Sequence, residues 1–215
     1  MLSRITGRRR NSRKNAGELI VFEGPDESGK TTISKLLAEE ILGRGKKCIW
    51  LGFPGHKPGT LGAEVYALHH DTRFAKAPAL SVQLLHVAAH IEAIELQILP
   101  ALAEGTWIVL DRYWWSTWVY GLASGAHRED LQLALDIERR HWGRVLPAIA
   151  FLFMRNFPDV KNQPPQRVAL QKLYVRLAGR ERRRHPVEIV HNNHEIEDTL
   201  RRIVATISSY CPDHR

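Results

Sequence analysis

The chain has 215 residues, of which 44% are hydrophobic and 25% are charged, and its formal net charge is +8. This balance is typical of one globular domain with a substantial core, and no apolar run approaches the ~20 residues that a membrane span requires. Cysteine occurs only at Cys48 and Cys211, which disfavours a disulfide framework and predicts a reducing, cytoplasmic setting.

The positive charge is concentrated near the N-terminus. Six Arg and Lys residues precede the first acidic residue, Glu18, so the remainder of the chain keeps only +2. Residues 1–16 show no helical or strand period, and we expect a disordered basic tail followed by one domain over residues 17–215. A solvated arm and an organellar transit peptide both remain open for this tail. A role in binding nucleic acid would rest on the tail alone and is disfavoured.

Predicted strands and helices alternate along the chain. Strands are predicted where apolar or β-branched residues form short runs, and helices where apolar residues recur every three or four positions. The predicted strands are Leu19–Phe22, Lys46–Phe53, Thr106–Asp111, Ala148–Met154 and Val187–Val190. The predicted helices are Thr31–Leu42, Leu61–His70, a long one from Pro78 to Ile98, one soon after Tyr113, Arg128–His141, 167–179 and Glu195–Tyr210, with a proline-rich loop over Asn156–Gln166.

This alternation predicts a three-layer α/β fold, with a parallel sheet of about five strands covered by helices on both faces. Ligands of such sheets bind beyond the carboxyl ends of the strands. Three informative segments follow predicted strands: Gly24–Thr31, Phe53–Gly59 and Asp111–Gly121. We therefore expect them to converge on one site.

The segment Gly24–Thr31 matches G-x-x-x-x-G-K-[ST] at every fixed position. Between a strand and a helix, such a loop points backbone N–H groups at an anion, and the helix N-terminus adds its positive dipole end. Lys30 would reach the β- and γ-phosphates and the Thr31 hydroxyl would bind Mg²⁺. The sequence therefore predicts a nucleoside triphosphate site formed by Gly24, Pro25, Asp26, Glu27, Ser28, Gly29, Lys30, Thr31 and Thr32.

Asp111 and Arg112 form a second charged segment, directly after an apolar strand. A carboxylate there can approach the water shell of Mg²⁺ or hold a neighbouring arginine, and the Arg112 fork suits a phosphate. An ordinary ion pair at a strand end is the alternative.

Together these residues resemble the thymidylate kinase family of nucleoside monophosphate kinases, from about Glu18 to Tyr210. The loop has the family's carboxylate at Asp26, and Asp111–Gly121 is similar to the family's Asp-Arg-Tyr/His segment. Phe53-Pro54 and Thr60–Gly62 match the loop that approaches the acceptor phosphate. The resemblance implies a P-loop kinase fold, ATP and Mg²⁺ as cofactors, phosphoryl transfer to a nucleoside monophosphate such as dTMP, and a homodimer.

The resemblance also implies roles for individual residues. Lys30, Asp26, Asp111 and Arg112 would be catalytic, and Thr31 and Asp111 would hold the metal. Asp26 would meet the acceptor's sugar hydroxyl, Arg112 its phosphate and Phe53 its pocket. The remaining acceptor contacts would come from His86, His90 and Tyr120.

Three segments depart from the family pattern. Where the family has a stacking aromatic and a base-binding arginine, this chain aligns His86 and His90, which leaves the thymine preference open; both are also compatible with half-buried helix positions. The family's Gln after Tyr is Gly121. A short proline-rich segment stands in place of the family's basic lid helix. Arg155, Lys161 and Arg167 are the nearest basic residues that could take the role of the family's catalytic arginine. Ordinary surface charge is the alternative for each of them.

The cluster Tyr113, Trp114, Trp115, Trp118 and Tyr120 fits either core packing or a wide aromatic pocket. Two further functions remain alternatives: a P-loop kinase for another small-molecule acceptor, and a nucleotide-binding regulator with weakened catalysis.

Overall fold

The computed structural model describes residues 16–69, 71–155 and 165–211, and its centre is a sheet of five parallel strands. The order across the sheet is β2-β3-β1-β4-β5. This confirms the predicted α/β class. The strands are β1 Leu19–Glu23, β2 Cys48–Gly52, β3 Trp107–Asp111, β4 Ile149–Met154 and β5 Val187–His191.

Eight α-helices in the described ranges cover the sheet. They are α1 Lys30–Gly43, α2 Leu61–His69, α3 Ala79–Ala93, α4 Leu99–Ala103, α5 Trp114–Ala123, α6 Arg128–Trp142, α7 Pro165–Glu181 and α8 Ile196–Tyr210. The predicted loop was wrong at its end, because Pro165 and Gln166 already belong to α7. Proline is tolerated in the first helical turn, where its missing N–H has no intrahelical partner. The predicted loop residues 156–164, and the predicted tail apart from Ala16, lie outside the described residues.

The central strands are buried on both faces, and alternate residues feed two separate cores. Ile20, Val109 and Phe151 pack on one face with residues of α1 and α8. Val21 and Leu110 pack on the other face with residues of α3, α5, α6 and α7. Continuous apolar runs are the pattern expected of parallel strands covered by helices on both sides.

The long predicted helix contains a π-helical segment, Ile94–Ile98, between α3 and α4. Pro100 follows this segment, and the wider turn accommodates a ring that would clash with the preceding turn of an α-helix. The whole stretch, Ala79–Ala103, has 25 residues and by length and composition is apolar enough to cross a membrane, with 33% of its most apolar window buried. His86, His90, Glu92 and Glu95 interrupt this stretch, so it is not the unbroken apolar run that the sequence analysis excluded.

The strand register brings the three informative segments to one edge. Phe22 pairs with Asp111 across β1 and β3, and Gly52 pairs with the same Asp111 across β2 and β3. The segments that follow Glu23, Gly52 and Asp111 therefore leave the sheet side by side.

Candidate active site

The loop between β1 and α1 has the conformation of a phosphate cradle. Gly24 has φ 142° and Gly29 has φ 87°, conformations that L side chains avoid. A Cβ on Gly24 would lie 2.3 Å from Phe153 O, and one on Gly29 would lie 2.2 Å from Asn192 Nδ2. Both glycines are thus required by backbone geometry and by close packing.

Asn192 follows the edge strand β5 and donates a hydrogen bond to this loop. Sequence patterns did not predict this contact. Its Nδ2 donates to Ser28 O at 2.8 Å, and its Oδ1 accepts from Thr199 Oγ1 at 3.2 Å. The available signal was its position directly after β5, at the carboxyl edge where ligands of parallel sheets bind.

Lys30, Thr31 and Asp111 lie at the mouth of the loop. Lys30 Nζ donates to Pro25 O at 3.1 Å. Burial lowers the pKa of Lys30, as does the charge of Arg112, although nearby carboxylates oppose the shift. Thr31 Oγ1 donates to Asp111 Oδ2. Asp111 Oδ1 and Ser28 Oγ are buried and have no hydrogen-bond partner in the described part of the chain.

Arg112 links the loop to the region beyond β3. Its backbone has φ 74°, which is uncommon for a residue other than glycine. Nη2 forms an ion pair with Asp26 Oδ1, and Nη1 donates to Ser116 Oγ at 3.1 Å. Tyr120 OH donates to Asp26 Oδ2 at 2.8 Å. Burial disfavours the charge on Asp26, but Arg112 and Tyr120 outweigh it and hold the pKa of Asp26 below its usual value.

Glu23 is a buried carboxylate that accepts hydrogen bonds from the start of α5. The sequence analysis did not single it out. Its carboxylate is fully buried and accepts from Tyr113 N at 2.8 Å, Ser116 N at 2.9 Å and Ser116 Oγ at 2.7 Å. It therefore caps the N-terminus of α5. Burial raises the pKa of Glu23 despite these hydrogen bonds and the nearby Arg112.

A cleft of about 1170 Å³ extends from the loop along α3. It is lined by residues from all three strand ends and from α2, α3 and α5. The acceptor and metal residues expected from the sequence are all among them: Asp26, Thr31, Phe53, His86, His90, Asp111, Arg112 and Tyr120.

Comparison with known proteins shows the family to which this fold and this loop belong. The family model for thymidylate kinase matches residues 22–169, more than half of the chain. The chain belongs to the thymidylate kinase family. The match contains the cradle, the Asp111–Arg112 segment and the first residues of α7.

Individual members give the extent of the likeness. The chain is 32% identical over 166 residues to the thymidylate kinase of Orientia tsutsugamushi, which covers 77% of this chain and 68% of the relative. It is 34% identical over 170 residues to the thymidylate kinase of Dinoroseobacter shibae, covering 77% and 73%. The crystal structure of Ehrlichia chaffeensis thymidylate kinase superimposes with a TM-score of 0.72 at 23% identity, over 89% of this chain and 99% of that one, and supports the fold.

The two histidines that depart from the family pattern both line the cleft, in different surroundings. His86 Nε2 lies 2.8 Å from His69 Nε2. His90 is only 2% exposed, and its Nδ1 lies 3.1 Å from Glu138 Oε2. The sequence analysis did not identify Glu138. Its signal was an acidic residue on the helix face that carries Leu131, Leu135 and Trp142, the buried side of α6.

Gly121 has no side chain, and Gln83 packs close to its Cα position. A Cβ on Gly121 would lie 3.0 Å from Gln83 Cγ and 2.8 Å from Leu131 Cδ2. Gln83 is 6% exposed and lines the cleft three residues before His86. Gln83 and Leu131 therefore fill the space that a side chain at position 121 would enter.

The aromatic cluster divides between core and cleft. Four members are 6% exposed or less and pack in the core: Tyr113, Trp114, Trp115 and Trp118. Tyr120 lines the cleft. Core packing therefore accounts for most of the cluster.

Arg167 is the lid candidate that the structure brings to the loop. Its Nη1 lies 3.4 Å from Glu27 Oε2 and its Nη2 donates to Asp26 O at 3.3 Å. Arg155 is exposed after β4, and Lys161 lies outside the described residues.

The acid response of His86 gives a first prediction. Burial, followed by the charges of His90, His69 and Arg112, lowers the pKa of His86 to about 3. Between about pH 6.5 and 3 the unfolded chain binds a proton that the folded chain does not, so this residue makes stability fall with decreasing pH by up to about 1.4 kcal/mol per unit. His86→Phe should lose less stability than wild type across this window, in urea unfolding at each pH.

The exposed His194 provides the control. His194→Phe should follow the wild-type pH profile. Parallel profiles for wild type and His86→Phe would show that His86 takes up its proton as readily in the folded chain as in the unfolded chain.

Proposed function

We propose that this chain transfers the γ-phosphoryl group of ATP to a nucleoside 5′-monophosphate, with dTMP as the expected acceptor. The observation that carries the proposal is a single cleft in which a phosphate cradle and Arg112 are joined through Asp26. Membership of the thymidylate kinase family supports the same reaction.

The cradle residues would bind the donor. Backbone N–H groups between Gly24 and Thr32 would face the β- and γ-phosphates together with the N-terminus of α1. Lys30 lies at the first position of this helix, and its ammonium would neutralise the charge that builds up as the phosphoryl bond breaks.

The residues fit a magnesium ion at Thr31 and Asp111. A buried carboxylate oxygen without a hydrogen-bond partner, Asp111 Oδ1, and an adjacent hydroxyl are oxygen ligands of the kind Mg²⁺ prefers. The described residues contain no cluster of three or more metal-ligating side chains, and nucleotide-dependent sites usually combine one or two protein ligands with phosphate oxygens. Bound there, the ion would neutralise phosphate charge and orient the donor.

Arg112 and Asp26 would hold the acceptor. The Arg112 guanidinium has five N–H donors, and its contacts with Asp26 and Ser116 use two of them. The others suit a phosphate, which a planar guanidinium binds in a bidentate manner. Asp26, the carboxylate of the ion pair with Arg112, lines the cleft and would accept a hydrogen bond from the sugar hydroxyl. Phe53 would pack against the base.

Arg167 would supply positive charge at the point of transfer. It contacts the backbone oxygen of Asp26, the residue whose side chain meets the acceptor-side Arg112. Its guanidinium therefore lies beside Asp26 and Glu27 of the cradle. This position supports Arg167 as the replacement for the family's lid or loop arginine.

The predicted partner is a second copy of this chain, in the cytoplasm. Exposed apolar side chains lie on α3, the π-helical segment and α6: Leu84, Leu96, Leu133 and Ile137. Helices α3 and α6 are neighbours, and exposed apolar side chains on neighbouring helices are a feature of interfaces. The cytoplasmic setting is supported by two cysteines that are both free, Cys48 and Cys211.

The acceptor role of Arg112 predicts a selective kinetic defect. Arg112→Lys keeps the positive charge but loses the bidentate fork, so the KM for dTMP should rise about 10-fold or more while the KM for ATP changes little. Arg201→Lys, at an exposed ion pair with Asp198 on α8, is the control and should match wild type. Equal increases in both KM values would contradict an acceptor-side role.

The proposed transfer role of Arg167 predicts a loss in turnover. Arg167→Ala should lower kcat roughly 10²-fold with smaller changes in either KM, because the charge acts mainly in the transition state. Arg176→Ala, at an exposed position on the same helix, should retain wild-type kcat. A normal kcat in folded Arg167→Ala would exclude this role.

The dimer is tested by mass in solution. Wild type should sediment as two chains at micromolar concentration, and Leu96→Glu, which places a charge on a 71% exposed leucine, should sediment as one. Leu42→Glu, exposed on α1 at the opposite face of the sheet, should remain a dimer. A wild-type monomer would refute the proposal.

A further inference from the structure

A tyrosine on α7 contacts the acceptor side of the site from within the core. Tyr174 is 0% exposed, and its hydroxyl oxygen lies 2.9 Å from Ser116 Oγ. Ser116 lines the cleft together with Arg112, and Arg112 Nη1 donates to Ser116 Oγ at 3.1 Å. A single side chain, Ser116, therefore separates the Tyr174 hydroxyl from the proposed acceptor arginine.

The Ser116 hydroxyl uses its whole hydrogen-bonding capacity. A serine hydroxyl has one proton and two lone pairs. The proton points to Glu23, because Ser116 Oγ donates to Glu23 Oε2 at 2.7 Å. One lone pair accepts from Arg112, whose guanidinium can only donate. The other lone pair is left for Tyr174, so the Tyr174 hydroxyl donates to it and occupies the last open direction of the Ser116 oxygen.

The surroundings keep the Tyr174 hydroxyl protonated. Burial raises the pKa of Tyr174, and the charge of Glu23 adds to the rise, although Arg112 opposes it. The hydroxyl is thus a hydrogen-bond donor at neutral pH. A buried donor is costly unless it finds an acceptor, and Ser116 Oγ provides one.

Helix α7 reaches the site at two points. Arg167, near the start of the helix, contacts the cradle loop, and Tyr174 follows seven positions later. Residues at this spacing lie about two turns apart on the same face of an α-helix. One face of α7 therefore presents both the proposed transfer arginine and the Tyr174 hydroxyl to the site.

We propose that Tyr174 is a positioning residue for the phosphoryl acceptor, because its hydroxyl holds the Ser116 oxygen that orients the Arg112 guanidinium. The proposal rests on the function proposed above and adds a fully buried residue to it. Without the hydroxyl, the Arg112 N–H group can approach either lone pair of Ser116 Oγ. The guanidinium then loses its fixed direction toward the acceptor phosphate, while the cradle that binds ATP is unaffected.

Equilibrium binding of dTMP to the whole chain tests this role. Tyr174→Phe keeps the ring and its packing but removes the hydroxyl. It should raise the Kd for dTMP, measured by calorimetry, about 3- to 10-fold, the scale of one neutral hydrogen bond, while the Kd for ATP changes less than about 2-fold. An unchanged Kd for dTMP in folded Tyr174→Phe would overturn the proposal.

A double-mutant cycle shows whether Tyr174 acts through Ser116. Ser116→Ala removes the oxygen that accepts from the Tyr174 hydroxyl and should itself raise the Kd for dTMP. In that background Tyr174→Phe should change the Kd less than about 2-fold further, because both substitutions interrupt the same contact. Equal factors in both backgrounds would show that Tyr174 acts by another route, contrary to the proposal.

Leu177→Ala is the control for a general loosening of α7. Leu177 is 4% exposed and lies on the same helix, but it carries no polar group. Its truncation should lower Tm more than Tyr174→Phe does, because it leaves a cavity in the core, and should leave the Kd for dTMP unchanged. A rise in Kd equal to that of Tyr174→Phe would assign the effect to packing and refute a positioning role.

Phosphoryl transfer distinguishes this proposal from the function on which it rests. Weaker binding of dTMP by Tyr174→Phe, with no transfer to any monophosphate by wild type, would refute the proposed function and support the positioning role. Transfer by wild type, with unchanged dTMP binding in Tyr174→Phe, would refute the positioning role alone. A wild-type chain that binds no dTMP would refute both.

Discussion

The candidate active site depends on one ion pair, between Arg112 after β3 and Asp26 in the loop after β1. Parallel pairing places the ends of these strands side by side, and the ion pair then joins the segments that follow them. Arg112 reaches this position in a left-handed backbone conformation, which requires support from its surroundings. Glu23 provides it, because its buried carboxylate fixes the first turn of α5 and the Ser116 hydroxyl that accepts from Arg112.

This arrangement explains why charged side chains are concentrated at one edge of an apolar sheet. Burial disfavours the charge on Lys30 and repulsion from Arg112 adds to the cost, so the pKa of Lys30 is lowered. Asp26, Asp111 and Glu23 offset part of that cost. A phosphate chain bound between the two cations would offset more, so the site is electrostatically suited to anions. Further along the cleft, the buried Glu138 carboxylate contacts the imidazole of His90.

Local patterns in the sequence predicted the sheet, the cradle and the segments that meet at its edge. Apolar runs and the glycine spacing of Gly24–Thr31 carry that information, because strand burial and tight turns act on neighbouring residues. The contacts of Asn192 with Ser28 and of Glu138 with His90 join residues far apart in sequence and have no periodic signature. The same limit applied to Arg167, which was one of three equivalent candidates until α7 was located against the loop. The choice between core and pocket for the tryptophans also required the packing of α5 against α6 and α7.

The most direct measurement is transfer of label from [γ-³²P]ATP in the presence of Mg²⁺ and dTMP. The account predicts labelled dTDP as the product, formed only when both substrates are present. Lys30→Ala, purified in the same way, serves as the blank for contaminating kinases, and it should form none because the charge on the β- and γ-phosphates is lost. Label released only as inorganic phosphate, or dTDP formed equally by Lys30→Ala, would contradict the account.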